Sequence, residues 1–115
     1  MEIITDKRVE VFDIETLSNA FTYTSINKDT KELFFFIIWN DVNQLSELIQ
    51  HLNSIRGQIG FNNLNFDYPV IHYILKEQNY LLSLRTEDIA RSIYQKAQET
   101  ISKEYSEIKE TEVLI

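Results

Sequence analysis

Three segments in the first part of the chain are rich in the β-branched and aromatic residues that favour strands. Residues 8–14, 20–26 and 32–39 are separated by short polar stretches. Because the connections are short, the three strands are expected to form an antiparallel meander. The third segment has an unbroken apolar run, which is typical of a strand buried on both faces. The run consists of Phe34, Phe35, Phe36, Ile37 and Ile38.

The next segment has the periodicity of a helix. Residues 42–54 repeat apolar positions at helical spacing, and Asn40 or Asp41 can cap the helix. Its predicted inner stripe consists of Val42, Leu45, Leu48, Ile49 and Leu52. A short strand is expected at 58–61. A helix between two strands forms a crossover, so this fourth strand should run parallel to its partner.

Two more helices are predicted later in the chain. One follows Asp67, because a proline such as Pro69 is tolerated in the first helical turn. Its apolar side consists of Val70, Ile71, Ile74 and Leu75. The other covers residues 86–109, in which Ile89, Ile93, Ala97 and Ile101 recur every four residues. We interpret that stripe as a packing face.

Composition favours one folded domain covering residues 1–115. The chain of 115 residues is 43% hydrophobic and contains only 2 Gly and 1 Pro, which is typical of a globular chain rather than a disordered one. With 0 Cys, a disulfide framework and a thiolate metal site are excluded, and a reducing, cytoplasmic location is expected. No apolar run reaches the length of a membrane span, so no membrane partner is expected.

The net charge bears on which partners the chain can bind. The chain is acidic, with a formal charge of -7 and a pI of about 4.7, so it would repel a phosphate backbone rather than bind it by general electrostatics. Carboxylates can still serve a nuclease, because they attract metal ions and the metal ions meet the phosphate. The charge therefore disfavours a stand-alone nucleic-acid binder more than it disfavours a catalytic domain.

Candidate chemistry is concentrated at three acidic residues. Asp13 and Glu15 occupy alternate positions of the first strand, so their side chains point to the same side, roughly 6 to 7 Å apart along the chain. Like charges beside a core require compensation, and a hard divalent cation such as Mg²⁺ or Mn²⁺ is the simplest compensator. Alternatively, both acids simply reach water at the end of a strand. Asp67 is a third candidate ligand or, equally well, a helix N-cap.

Two short motifs carry a resemblance to a known family. The segment Asp13-Ile14-Glu15-Thr16 resembles the first motif, D-x-E, of the DEDD (DnaQ-like) 3′-5′ exonucleases. Residues 62–67 resemble their second motif, N-x-x-x-[FY]-D, in the form found in proofreading domains of family B DNA polymerases, including viral ones. The likeness covers residues 8–77 as a core and leaves 86–110 as a helical extension. It implies an α/β, ribonuclease-H-like fold, here truncated.

The resemblance also implies roles for individual residues. Asp13 would bridge two Mg²⁺ or Mn²⁺ ions, Glu15 would hold the ion that activates water, and Asp67 would support the second ion. The residues implied to hold the terminal nucleotides of single-stranded DNA are Thr16, Leu17, Asn62 and Phe66. From the residues alone, a core position is the better interpretation of Phe66, and Asn62 is also compatible with a simple turn.

The last family motif, Y-x-x-x-D or H-x-x-x-x-D, is missing from the sequence. His72 and Glu77 imitate its spacing in the wrong element, and His51, between polar neighbours, is interpreted as a surface residue. Without the fourth acid, we expect the chain to be a feeble or inactive part of an exonuclease domain. Its partners would then be the rest of an exonuclease or polymerase chain, or a polymerase subunit.

Two further possibilities concern binding rather than catalysis. The acidic charge, the missing acid and the long last helix are also compatible with a non-catalytic, ribonuclease-H-like interaction module of a replication complex. The apolar last residues suggest self-association through an open sheet edge.

Overall fold

A computed structural model describes residues 9–55, 57–60 and 67–114, with side chains described up to residue 101. The chain forms an α/β structure, as the sequence predicts. Its elements are β1 (Val9–Leu17), β2 (Ala20–Asn27), β3 (Leu33–Trp39), β4 (Val42–Asn43), α1 (Leu45–Ser54), β5 (Gly57–Gly60), α2 (Asp67–Lys76), α3 (Gln78–Leu82) and α4 (Thr86–Leu114). Among the described residues, no helix combines the length and apolar character needed to cross a membrane.

The described strands form one mixed sheet with the order β4-β3-β2-β1-β5. The predicted meander is confirmed, because β2 pairs antiparallel with both β1 and β3. The predicted parallel strand is confirmed as well: β5 runs alongside β1, with Val9 opposite Gly57 and Phe12 opposite Gly60. α1 makes the crossover that such a parallel pair requires. β1 therefore lies inside the sheet, with a partner on each side.

The helices pack on one side of this sheet, which we call the covered face. Alternate residues of the strands point into this core, and small and branched residues of α4 meet them, so that α4 crosses β1, β2 and β3. The predicted α4 stripe is confirmed at Ile89, Ile93 and Ala97, whereas Ile101 is exposed. The buried strand residues that contribute most volume are Phe12, Phe21, Tyr23 and Ile38. Burying apolar side chains of this size is the main stabilising term for such a fold.

The prediction that the third strand is buried on both faces is wrong. Ile38 is fully buried, but Leu33 is 72% exposed, Phe35 55% and Trp39 47%. An apolar run reports strand propensity, whereas burial on both faces requires a layer on each side of the sheet. Described helices cover only one side.

The start of α1 also differs from the prediction. Val42 and Asn43 form the short strand β4, so neither Asn40 nor Asp41 caps the helix, and Val42 is exposed rather than part of the inner stripe. The N-cap position is Gln44, which makes no side-chain capping bond. Its side chain instead accepts a hydrogen bond of 2.9 Å from the Ile37 backbone N–H. Val42, Asn43 and Gln44 therefore supply hydrogen-bond partners to the outer edge of β3 before α1 begins.

Candidate functional site

Asp13 and Glu15 lie on the side of the sheet opposite the helices, which we call the open face. Asp13 is half-buried and Glu15 is exposed, and across the β1–β2 ladder they stand opposite Thr24 and Thr22. None of the described side chains on this face is buried. The strand positions that form it are Val9, Val11, Asp13, Glu15, Leu17, Ala20, Thr22, Thr24, Ile26, Leu33, Phe35, Ile37, Trp39, Val42 and Ile59. The structure therefore brings the two acids together on one accessible surface, as their alternate spacing predicts.

The third predicted acid lies in a different environment. Asp67 is the first residue of α2 and is 0% exposed. Its neighbour Tyr68 anchors α2 to the covered face: the ring packs edge-on against Phe12 at 5.6 Å, and the hydroxyl donates to the Gln58 carbonyl. Within residues 9–55, 57–60 and 67–101, no group of three or more Asp, Glu, His or Cys side chains could hold a metal ion. That Asp67 shares a metal with the other two acids stays a prediction.

The predicted substrate-binding residues divide between the two faces. Leu17 is on the open face and is exposed, two positions after Glu15. Thr16 has the opposite strand parity, stands beside Phe21 and points to the covered side. Asn62 and Phe66 lie outside the described residues. Of the two nucleotide-binding candidates that the structure describes, Thr16 and Leu17, Leu17 is therefore the one placed beside the acids.

A buried polar cluster is the main feature that the sequence did not predict. Glu10 is 0% exposed, and its Oε1 accepts a hydrogen bond of 2.8 Å from Ser25 Oγ. The same Oε1 lies 2.6 Å from His51 Nε2. His51 is only 9% exposed, so its interpretation as a surface residue is wrong. The pair ties α1 to the centre of the sheet.

Aromatic rings enclose this cluster. The His51 ring is 4.4 Å from Phe34 and 5.2 Å from Phe36, measured between ring centroids. Tyr23 closes another side, and its hydroxyl accepts a hydrogen bond of 2.9 Å from Gln58 Nε2. Burial raises the pKa of Tyr23 well above its ordinary value of 10.0, so the phenol stays protonated even at a pH where an exposed tyrosine ionises. Sealed from water in this way, the cluster belongs to the interior of the fold and is not placed to meet a substrate.

Strand parity is the signal that could have revealed Glu10. Phe12 and Ile14 point into the core, so a residue two positions earlier on β1 must point the same way. His51 likewise falls between Leu48 and Leu52 on the inner stripe of α1. A polar, ionisable residue on each buried stripe predicts that the two pair with each other, because buried polar groups need hydrogen-bond partners.

A surface pocket of about 350 Å³ opens at the end of the sheet where β3 stops and α4 begins. It is lined by Asn19, Trp39, Asn40, Arg85, Thr86 and Glu87. The cation of the pocket is Arg85, whose Nη2 lies 3.2 Å from Glu87 Oε1 and whose Nε lies 3.1 Å from Asp88 Oδ2. The hydrogen bond to Asp88 raises the pKa of Arg85. Because its charge is already balanced by these acids, the pocket is poorly suited to capture an anion.

Comparison with known proteins adds no relative. No family model, curated protein or solved structure matches the chain. The functional assignment therefore depends on the two short motifs and on the geometry of the residues themselves.

Proposed function

We propose that the chain carries the first part of a metal-dependent 3′-5′ exonuclease site, on a ribonuclease-H-like arrangement, that acts on the 3′ end of single-stranded DNA. The observation that carries the proposal is the placement of Asp13 and Glu15. They occupy alternate positions of an inner strand and share one accessible face of the sheet. The order of three antiparallel strands, a crossover helix and a parallel strand supports the same assignment.

The residues on the open face fit a hard divalent cation. Mg²⁺ typically takes one or two protein carboxylates and completes its shell with water, and Asp13 and Glu15 are accessible enough for that arrangement. The threonines opposite them carry no charge that would compete with a cation. When bound, such ions activate a water molecule and stabilise the leaving oxygen. The resemblance assigns Asp67 to a second ion, but Asp67 is fully buried at the start of α2, so the open face itself offers Asp13 and Glu15 as ligands.

This chain contributes only part of such a site. The family's fourth acid and its water-orienting Tyr or His have no counterpart in the sequence. Residues that act as a unit lose most of their catalytic effect when one is missing. We therefore propose that the isolated chain is inactive or feeble, and that the rest of an exonuclease or polymerase chain, or a polymerase subunit, completes the site.

Titration calorimetry with Mn²⁺ tests the proposal. We expect saturable binding to the wild-type chain and its loss in Asp13→Asn, whereas Asp29→Asn, a matched change in the exposed β2–β3 turn, should leave binding unchanged. A 3′-labelled single strand should be cut slowly or not at all by the chain alone, and faster once a complementing partner is added. Absence of Mn²⁺ binding, or equal loss in both variants, contradicts the proposal.

A second candidate is a non-catalytic interaction module that shares the ribonuclease-H-like arrangement. Large apolar side chains on the open face favour it, because contiguous exposed apolar surface on a folded protein commonly marks a binding site. This candidate predicts no Mn²⁺ binding and instead a stable complex through the open face.

A further inference from the structure

One strand supplies most of the apolar surface of the open face. Leu33, Phe35, Ile37 and Trp39 alternate along β3 and form a row that we call the β3 strip. Three of the four are more than two-fifths exposed. Six residue steps of strand span roughly 20 Å. That length equals about 13 residues, or nearly four turns, of an α-helix.

The width of the surface suits a helix as well. Ile26 and Thr24 on β2 stand directly beside Leu33 and Phe35, so a second row lies about 5 Å from the strip. A helix about 10 Å across covers two such rows. Aromatic anchors such as Phe35 and Trp39 are the residue types that dominate binding energy at interfaces, and their strand backbone already holds them in place.

The charges beside the strip define the partner further. Asp13 lies in the same cross-strand row as Thr24 and Phe35, and Glu15 in the same row as Thr22 and Ile37. Both acids are thus two strands, about 10 Å, from the strip. The described positions of the open face include no Lys or Arg. The surface is apolar along β3 and anionic along β1.

We propose that the open face is a docking surface for a basic amphipathic helix of a partner protein. The apolar side of that helix packs on the β3 strip, and its Lys or Arg side chains reach towards Asp13 and Glu15. A second copy of the chain fits less well, because each copy has a formal charge of -7. Without bound metal ions, a nucleic-acid strand would bring phosphates to the acids, and the described positions of the face offer no cation to meet them.

A synthetic peptide of about 18 residues, patterned with Leu and Lys to form an amphipathic helix, provides the probe. The chain has 1 Trp, at position 39, so tryptophan emission reports directly on the strip. We expect saturable binding with a blue shift as Trp39 leaves water, and weaker binding at high salt because the charge pairs are screened. A peptide with Glu in place of Lys should not bind.

Single substitutions locate the interaction. Phe35→Ser should weaken peptide binding by roughly tenfold or more, since interface anchors commonly contribute that much. Asp13→Asn with Glu15→Gln should weaken binding severalfold at low salt and flatten its salt dependence. Tyr80→Ser is the matched control, because Tyr80 is 54% exposed but lies on α3, among the helices. Circular dichroism confirms that each variant is folded.

Three results overturn the inference: equal weakening by Tyr80→Ser and Phe35→Ser, tighter binding of an oligothymidylate strand than of the Lys peptide, or a dimer of the chain in sedimentation equilibrium that Phe35→Ser dissociates. The inference rests on the second candidate function, the interaction module, and names its partner; it assigns Asp13 and Glu15 to basic side chains, whereas the exonuclease proposal assigns them to metal ions. Peptide binding is measured in EDTA, so absence of a metal site leaves the expected result unchanged.

Discussion

Carboxylate side chains on the two faces of β1 lie in opposite environments. Glu10 points into the covered face, where Ser25 and His51 contact one carboxylate oxygen at 2.8 Å and 2.6 Å. Asp13 and Glu15 point to the open face and are accessible. A buried carboxylate must be paired, and pairing makes it part of the fold. An accessible carboxylate keeps its oxygens available for a cation or a basic partner.

The largest expected effect is on the covered face. His51→Ala leaves the buried Glu10 carboxyl group without the imidazole that lies 2.6 Å from its Oε1 and should lower the free energy of unfolding by about 3 to 5 kcal/mol. Adding Glu10→Leu should recover part of that loss, because it removes the buried polar group that has lost its partner. Urea denaturation measures both. Asp13→Asn, on the open face of the same strand, should stay within about 0.5 kcal/mol of wild type.

Neighbouring phenylalanines on β3 test the difference between the faces directly. Phe36 packs against His51 and Tyr23, so Phe36→Ala should cost about 2 to 4 kcal/mol in unfolding free energy. Phe35 points to the open face, and Phe35→Ala should cost about 0.5 kcal/mol or less. Similar losses in the two variants would show that the open face is covered.

The contact between α4 and the sheet predicts a smaller effect. Ala97 is fully buried, and α4 crosses three strands. Ala97→Leu should therefore lower stability by about 1 to 3 kcal/mol through overpacking. Gln98→Leu, on the exposed side of the same helix, is the control and should change stability by about 0.5 kcal/mol or less. Thermal unfolding of the pair separates packing from helix propensity.

The smallest expected effect on the free energy of unfolding at neutral pH comes from the protonation of Tyr23, which matters only at high pH. Its pKa is raised by burial above the ordinary 10.0, so above that pH the unfolded chain loses a proton that the folded chain keeps. Stability should be fully retained below pH 10.0 and should fall as pH rises beyond it. Urea denaturation on both sides of this pH measures the fall. Tyr23→Phe should reduce it, whereas Tyr80→Phe should not.

Local periodicity was enough to predict the features that depend on neighbours in sequence. Alternation on β1 correctly placed Asp13 and Glu15 on one side. The four-residue repeat correctly placed Ile93 and Ala97 in the core. Such patterns work because strand and helix geometry fixes the direction of each side chain relative to its neighbours.

Features that depend on distant partners were missed. His51 and Glu10 are 41 positions apart, so neither local pattern contains the other. The exposure of Phe35 likewise depends on whether another layer packs on the open face, which an apolar run does not specify. In the candidate site, the placement of Asp13 and Glu15 on one face of β1 was predictable from their spacing. The burial of Asp67 was not, because it depends on how α2 packs against the rest of the fold.

The open face has a consequence for how the protein can change over time. Its side chains contribute little to the free energy of folding, because none of those described is buried. Substitutions there can alter recognition without reaching the stability threshold that limits most mutations. The sequence of the open face can therefore change without loss of the fold. A library randomised at Thr22, Thr24 and Phe35 is a practical route to new binding proteins on an unchanged scaffold.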